Sequence, residues 1–140
     1  GVIEPGVQRA LAATSGNHIG VIGTEGTIRG GVYGDRLKAL RPGVRIAEQA
    51  CPLFVALAEE GWLDGEVPLR VAEEYLAQLQ DGPDTLILGC THYPILKSVI
   101  AQVLPAVRLI DSASAVSSSC TRSATPSSRS AQASVTPSAS

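Results

Sequence analysis

Thr85-Leu86-Ile87-Leu88-Gly89-Cys90-Thr91-His92-Tyr93-Pro94 decides how the rest of the chain is read, because a short apolar run stops there at glycine and gives way to a cluster of reactive side chains. Leu86-Ile87-Leu88 is too short for a helix and has the unbroken apolarity of a strand covered on both faces. Gly89 lets the backbone turn tightly before Cys90, which puts the sulfur at the strand's carboxyl end. Open α/β sheets bind their ligands at that end.

Upstream, residues 1–3 read as the end of a strand, and Glu4-Pro5-Gly6 turns the chain into an amphipathic helix over 7–13 with Val7, Ala10 and Leu11 on one face. His18-Ile19-Gly20-Val21-Ile22-Gly23 is the next short apolar strand, and Thr24-Glu25-Gly26-Thr27 caps a single helix running through Tyr33, Leu37 and Leu40. Pro42-Gly43 breaks that helix, 44–50 is strand-like, and Cys51-Pro52 leads into a helix over 53–60 that Gly61 stops. Residues 67–79 predict the longest helix, with Leu69, Val71, Ala72, Tyr75, Leu76 and Leu79 on its apolar face. Beyond the thiol strand, 95–104 reads as a helix and 107–110 as a strand. Strands alternating with helices at this spacing predict βαβ units: an α/β fold, doubly wound, with a mostly parallel sheet and flanking helices.

A chain of 140 residues, 44% of them apolar, suffices for one hydrophobic core. A formal net charge of −2 gives no electrostatic reason to expect nucleic acid or an acidic membrane surface as a partner. No apolar run approaches the roughly eighteen residues of a membrane span. The cysteines at 51, 90 and 120 lack C-x-x-C spacing and are odd in number, so free thiols in a reducing cytoplasm are expected rather than a zinc site or a disulfide framework. Gly1-Val2-Ile3 opens like a strand already under way, which leads us to expect a segment upstream of it. From Ser112 the composition shifts: twelve of the last twenty-nine residues are serine and six are alanine, with none acidic or aromatic. So little apolar area cannot offset the entropy of ordering, so 112–140 is expected to be a disordered tail, and its abrupt onset suggests out-of-frame translation or truncation.

Cys90, Thr91 and His92 place a thiol, a hydroxyl and an imidazole within three positions of one strand end. The thiolate is the reactive form of cysteine. A helix starting near Pro94 is expected to aim its N-terminal dipole at this loop, and His92 is placed to exchange protons with the sulfur or a substrate. A buried cysteine serving as a small hydrophobe beside a capping threonine fits the same spacing, which leaves both readings open. By themselves Glu59, next to Glu60, reads as a solvated helix end, Thr24 and Thr27 as helix caps, and His18 as structural.

Leu88-Gly89-Cys90-Thr91-His92-Tyr93-Pro94 resembles the second catalytic motif of the glutamate racemases of bacterial cell-wall synthesis. Gly1-Val2-Ile3-Glu4-Pro5-Gly6, Gly20-Val21-Ile22-Gly23-Thr24 with Thr27, Ala50-Cys51-Pro52-Leu53-Phe54-Val55 and Ile110-Asp111-Ser112 resemble successive segments of the same family, in order and spacing. The resemblance covers about residues 1–112. It implies a cytoplasmic isomerase that inverts glutamate at Cα between two cysteines on opposite faces of the substrate, supplying D-glutamate for peptidoglycan and hence for cell shape. It implies no metal and no other cofactor. Cys90 corresponds to the second cysteine, His92 to the histidine that assists its proton transfer, and Glu59 to the acidic residue that helps position that histidine. Thr91, beside Cys90, corresponds to a substrate-binding residue, and Thr24 and Thr27 to residues holding a substrate carboxylate. Cys51 falls outside the catalytic pair, because the family carries a cysteine in this segment alongside its two catalytic ones. Family members commonly form homodimers, and neither nucleic acid nor membrane is implied as a partner.

The resemblance also implies that the first catalytic cysteine, with its asparagine and threonine neighbours, and an aspartate and a serine near the family's N terminus lie before Gly1, in the other of two similar domains. On this reading residues 1–111 form a partial racemase-like α/β domain and 112–140 a Ser/Ala-rich tail; the complete protein racemises glutamate and this piece alone does not. A non-catalytic ligand- or protein-binding module that kept half a pocket, and an aspartate-type racemase, are the alternatives.

Overall fold

The structure, a computed structural model, describes residues 3–111. The tail over 112–140, Cys120 within it, and the first two residues of the expected opening strand lie outside the described residues. Four strands, β1 (His18–Gly23), β2 (Arg45–Ala50), β3 (Thr85–Leu88) and β4 (Arg108–Asp111), form one sheet in the order β2-β1-β3-β4. Every pairing is parallel: Ile19 sits opposite both Ile46 and Thr85, and Leu88 opposite Asp111. The expected doubly wound α/β architecture is the one observed.

Side-chain alternation along the strands divides the core in two. Ile22, Leu86 and Leu88 face a cluster with Phe54 and Leu57 of α4 (Pro52–Glu60), Ala72 and Leu76 of α5 (Glu66–Leu76), and Val99 and Ile100 of α6 (Lys97–Val103). Ile19, Val21 and Ile87 face the opposite cluster, with Val7, Ala10 and Leu11 of α1 (Glu4–Ala13) and Tyr33 and Leu37 of α3 (Val32–Leu40). β3 is buried along its whole length because helices cover both its faces, whereas the edge strand β2 is only partly covered.

Several local expectations are corrected. Glu4, Pro5 and Gly6 belong to α1 rather than to a turn, with Pro5 in the first helical turn where its missing N–H costs nothing, and Ile3 is the cap residue and not strand. The single helix expected after Thr24 is two, α2 (Glu25–Gly30) and α3, parted where Gly31 adopts a left-handed φ of 68°. The helix expected over 67–79 ends as an α-helix at Leu76 and tightens into a 3₁₀ turn over Ala77–Leu79, which still buries Leu79. The helix expected over 95–104 begins instead as a 3₁₀ turn at Tyr93–Leu96 and becomes α-helical only at Lys97.

At the amino end of the sheet, Asp84 ties β3 to the α1–β1 loop. Its carboxylate accepts hydrogen bonds from Thr14 Oγ1 at 2.6 Å, Ser15 N at 3.1 Å, Thr85 Oγ1 at 2.8 Å and Gly16 N. Burial opposes its charge, but these bonds outweigh that and hold its carboxyl down at about 2. The opposite, carboxyl end of the sheet is where Thr24, Cys51 and Cys90 follow their strands.

Candidate active site

In the order β2-β1-β3-β4 the chain leaves β1 to one side for β2 and returns on the other side of β1 as β3. The carboxyl ends of β1 and β3 therefore flank the topological switch point, the place at which open α/β sheets take their ligands. Thr24 follows β1, and Gly89-Cys90 follows β3.

The loop bearing Cys90 is pinned to β1. Gly89 N donates to Ile22 O at 2.8 Å, which extends the ladder one residue past the strand. Gly89 is not in the left-handed region, so the expected reason for a glycine there is replaced by another. A Cβ at that position would stand 2.7 Å from the Ile22 carbonyl oxygen and 3.1 Å from Cε2 of Tyr33. Only the missing side chain lets the two backbones approach.

Cys90 is partly buried, and its Sγ stands 3.8 Å from Nδ1 of His92. On the other side of the same ring, Nε2 stands 3.7 Å from Oε2 of Glu59, at the end of α4. The structure thus brings Cys90, His92 and Glu59 into one line, with the imidazole between thiol and carboxylate. His92 is 43% exposed and Glu59 63%, so their mutual attraction adds little stability. Thr91 lies exposed between Cys90 and His92 in sequence.

Thr24 and Thr27 form a separate unit. Thr24 caps α2, its Oγ1 accepting from Thr27 N at 3.2 Å, with the two hydroxyl oxygens 3.1 Å apart. Both side chains are half-buried beside the strand to which Gly89 is bonded.

Cys51 also follows a strand, yet its environment is the opposite of that of Cys90. It is fully buried and its Sγ donates to Gln49 O at 3.7 Å. Burial pushes its thiol up to about 12, so it stays protonated. The expected dipole contribution at Cys90 is weakened: the segment after His92 is a four-residue 3₁₀ turn, and α6 proper begins only at Lys97.

Tyr93 is the residue that sequence reading passed over. It is fully buried, its hydroxyl donates to Cys51 O at 2.8 Å, and its ring meets Phe54 edge-on at 5.5 Å. Tyr75 contacts Phe54 similarly at 5.3 Å, and its hydroxyl accepts from Leu53 N at 2.9 Å. A tyrosine next to a reactive loop is a visible signal, but its partner lies 42 residues away. Among the described residues no three His, Cys, Asp or Glu side chains group to hold a metal ion, and no helix is long and apolar enough to cross a membrane.

A sequence model of the family described as Asp/Glu/Hydantoin racemase matches residues 1–120. The chain is 55% identical over 115 residues to the glutamate racemase of Geobacter metallireducens, a match covering 81% of this chain and 43% of that protein. To the glutamate racemase of Aquifex aeolicus it is 51% identical over 119 residues, covering 85% and 46% respectively. Among solved structures, a glutamate racemase isoform from Bacillus anthracis superposes with a TM-score of 0.78 at 38% identity, over 86% of this chain and 47% of that one. The glutamate racemase of Francisella tularensis, solved in complex with D-glutamate, gives 0.76 at 34% identity, over 97% and 54%. The chain spans about half the length of the relatives it matches.

Proposed function

The chain belongs to the Asp/Glu/hydantoin racemase family, and on that premise we propose that it supplies one face of a glutamate racemase active site. The observation that carries this is the Cys90–His92–Glu59 line at the switch point of the sheet. In this reading the Cys90 thiolate takes the Cα proton of glutamate from one side and becomes a thiol. A second thiol gives a proton to the other side and becomes a thiolate, and the reverse reaction exchanges the roles. His92 carries protons to and from Sγ of Cys90 through Nδ1, and Glu59 orients the ring from Nε2. Thr91 and the Thr24–Thr27 pair hold the substrate, the latter by hydroxyls and by the amides of the α2 turn. Neither thiol needs a cofactor to take this role; what the weak acidity of Cα–H demands is close positioning and exclusion of water.

The second thiol cannot be Cys51, which is buried, protonated and already hydrogen-bonded to Gln49. We assign it to the part of the relatives' length that this chain does not span, and residues 1–111 to one of the two similar halves. The chain alone is then inactive. Glutamate is favoured over aspartate as substrate because the matched relatives named above are glutamate racemases, two of them over 50% identical. The product would serve peptidoglycan synthesis, in a cytoplasm where Cys90 stays reduced; a homodimer is the assembly the resemblance favours.

The test is a chimera in which residues 1–111 replace the matched segment of the Geobacter metallireducens glutamate racemase, incubated in deuterium oxide with each glutamate enantiomer. Deuterium is expected at Cα and the enantiomers interconvert, while Cys90→Ser abolishes the interconversion. A folded chimera that exchanges nothing, or a Cys90→Ser variant as active as its parent, refutes the assignment. The 140-residue chain alone should leave the enantiomers unchanged.

A further inference from the structure

The line from Cys90 to Glu59 joins two elements that no covalent neighbour holds together: the loop after β3 and the far end of α4. Something must set the tilt of α4 against that loop. Glu59 lies eight residues past Cys51, about 12 Å along the helix axis at 1.5 Å per residue. A tilt of about 10° pivoting at the start of α4 displaces its end by about 2 Å, enough to open the 3.7 Å approach of Glu59 to His92.

Tyr93 contacts α4 both at that pivot and one turn beyond it. Its backbone belongs to the thiol loop, with N donating to Cys90 O at 3.1 Å. Its side chain belongs to α4: the hydroxyl donates to the carbonyl of Cys51, which caps the helix, and the ring packs edge-on against Phe54 one turn in. Burial raises its phenol well above the ordinary value, so the donor is never lost to ionisation. Tyr75 holds the same first turn of α4, through Leu53 N and Phe54, but ties it to α5 and not to the thiol loop.

We propose that Tyr93 is a positioning residue for the proton path, its hydroxyl on Cys51 O and its ring on Phe54 clamping α4 to the Cys90 loop so that Glu59 reaches His92. The inference rests on the proposed role of His92 as proton carrier at Cys90. It gives the buried tyrosine of the motif a purpose that packing alone does not require, since a phenylalanine fills the same space.

The experiment follows alkylation of Cys90 by iodoacetamide in the 140-residue chain at neutral pH and 20 °C, with peptide mapping to read Cys90 apart from Cys51 and Cys120. Glu59→Gln is expected to slow alkylation about fivefold by depriving His92 of its orienting partner. Tyr93→Phe is expected to slow it to a similar degree, and the double variant no further than either single one, because both changes break the same path. Tyr75→Phe, which frees α4 from α5 alone, is expected to lower the melting temperature while leaving the rate within about 1.5-fold of wild type. Three results overturn the proposal: a Tyr93→Phe chain that melts lower but alkylates at the wild-type rate, a double variant whose effects multiply, or a Glu59→Gln chain that reacts like wild type. The last needs only a surface substitution and can overturn the proposal even if Tyr93→Phe does not fold. Alkylation needs no turnover, so an inactive chimera would sink the racemase assignment without affecting this readout.

Discussion

Gly89→Ala is the substitution on which the description of the thiol loop can be tested most directly. The added methyl would sit 2.7 Å from the Ile22 carbonyl oxygen and 3.1 Å from Cε2 of Tyr33. The first is backbone of a fully buried central strand and the second a buried ring, so neither can swing aside. Overpacking of this kind costs about 1–3 kcal/mol. Relieving it by moving the loop breaks the 2.8 Å bond from Gly89 N to Ile22 O, at about 1 kcal/mol more. A total near 3 kcal/mol corresponds to a fall in melting temperature of roughly 10–15 °C for a folded unit of this size. Gly26→Ala in α2 is the control, because a Cβ there meets nothing within 4 Å and the helix gains about 0.5–1 kcal/mol from losing a glycine. Both are read by thermal melting followed by circular dichroism, with Cys90 alkylation measured well below either midpoint. A Gly89→Ala chain melting within about 2 °C of wild type, or falling no further than the Gly26 control, refutes the claim that close backbone approach fixes Cys90.

Asp84 governs acid stability. Its folded-state carboxyl lies at about 2, below its ordinary 3.8, so its contribution is complete above about pH 4 and disappears as the pH falls towards 2. Asp84→Asn should therefore melt several degrees below wild type at pH 7, and the gap should close by about pH 2; a gap independent of pH contradicts the bonding pattern. Cys51, buried with its thiol raised to about 12, should resist iodoacetamide at pH 8 under native conditions while Cys90 reacts, and equal labelling of the two would show that Cys51 is not enclosed. In the active chimera, His92→Asn should lower kcat by about 10²–10⁴-fold with KM changed far less, as expected for a proton carrier rather than a substrate anchor; a change confined to KM would reassign it.

The strands and the reactive loop were legible because each rests on local signals. An apolar run, a glycine stop and a polar cluster place Cys90 at a strand end with no reference to the rest of the chain, and the burial of Leu86, Ile87 and Leu88 follows. The break at Gly31 was not legible, because Tyr33, Leu37 and Leu40 keep a helical period immediately beyond it and glycine is tolerated inside helices. The reason for Gly89 was misread for a related cause: local sequence shows a residue without a side chain, whereas the atom it must avoid, Ile22 O, belongs to β1, far earlier in the chain. The bonds of Asp84 to Thr14 and Ser15 and of Tyr93 to Cys51 span similar or shorter gaps and escape for the same reason. Contacts that fix a site are long-range, while the motif that announces it is short.

Cys51 and Cys90 show why the proposed chemistry is assigned to one thiol and not to the other. Both follow parallel strands of one sheet at the same end, and both have an N–H or a neighbour's N–H bonded to the end of β1: Cys51 N to Gly23 O, Gly89 N to Ile22 O. The difference lies in what comes next. After Cys51 the chain enters α4 at once through Pro52, so the side chain is sealed beneath the helix among Phe54, Leu88 and Tyr93, where an anion would have no partner. After Cys90 the chain spends two exposed residues, Thr91 and His92, before the buried Tyr93, and that short detour leaves the sulfur partly open beside an imidazole. The Tyr93 hydroxyl then bonds the carbonyl of Cys51, so the cap of α4 beside the inert thiol becomes a fixed point from which the reactive one is arranged. Burial makes Cys51 useless as a base and, for the same reason, suitable as an anchor.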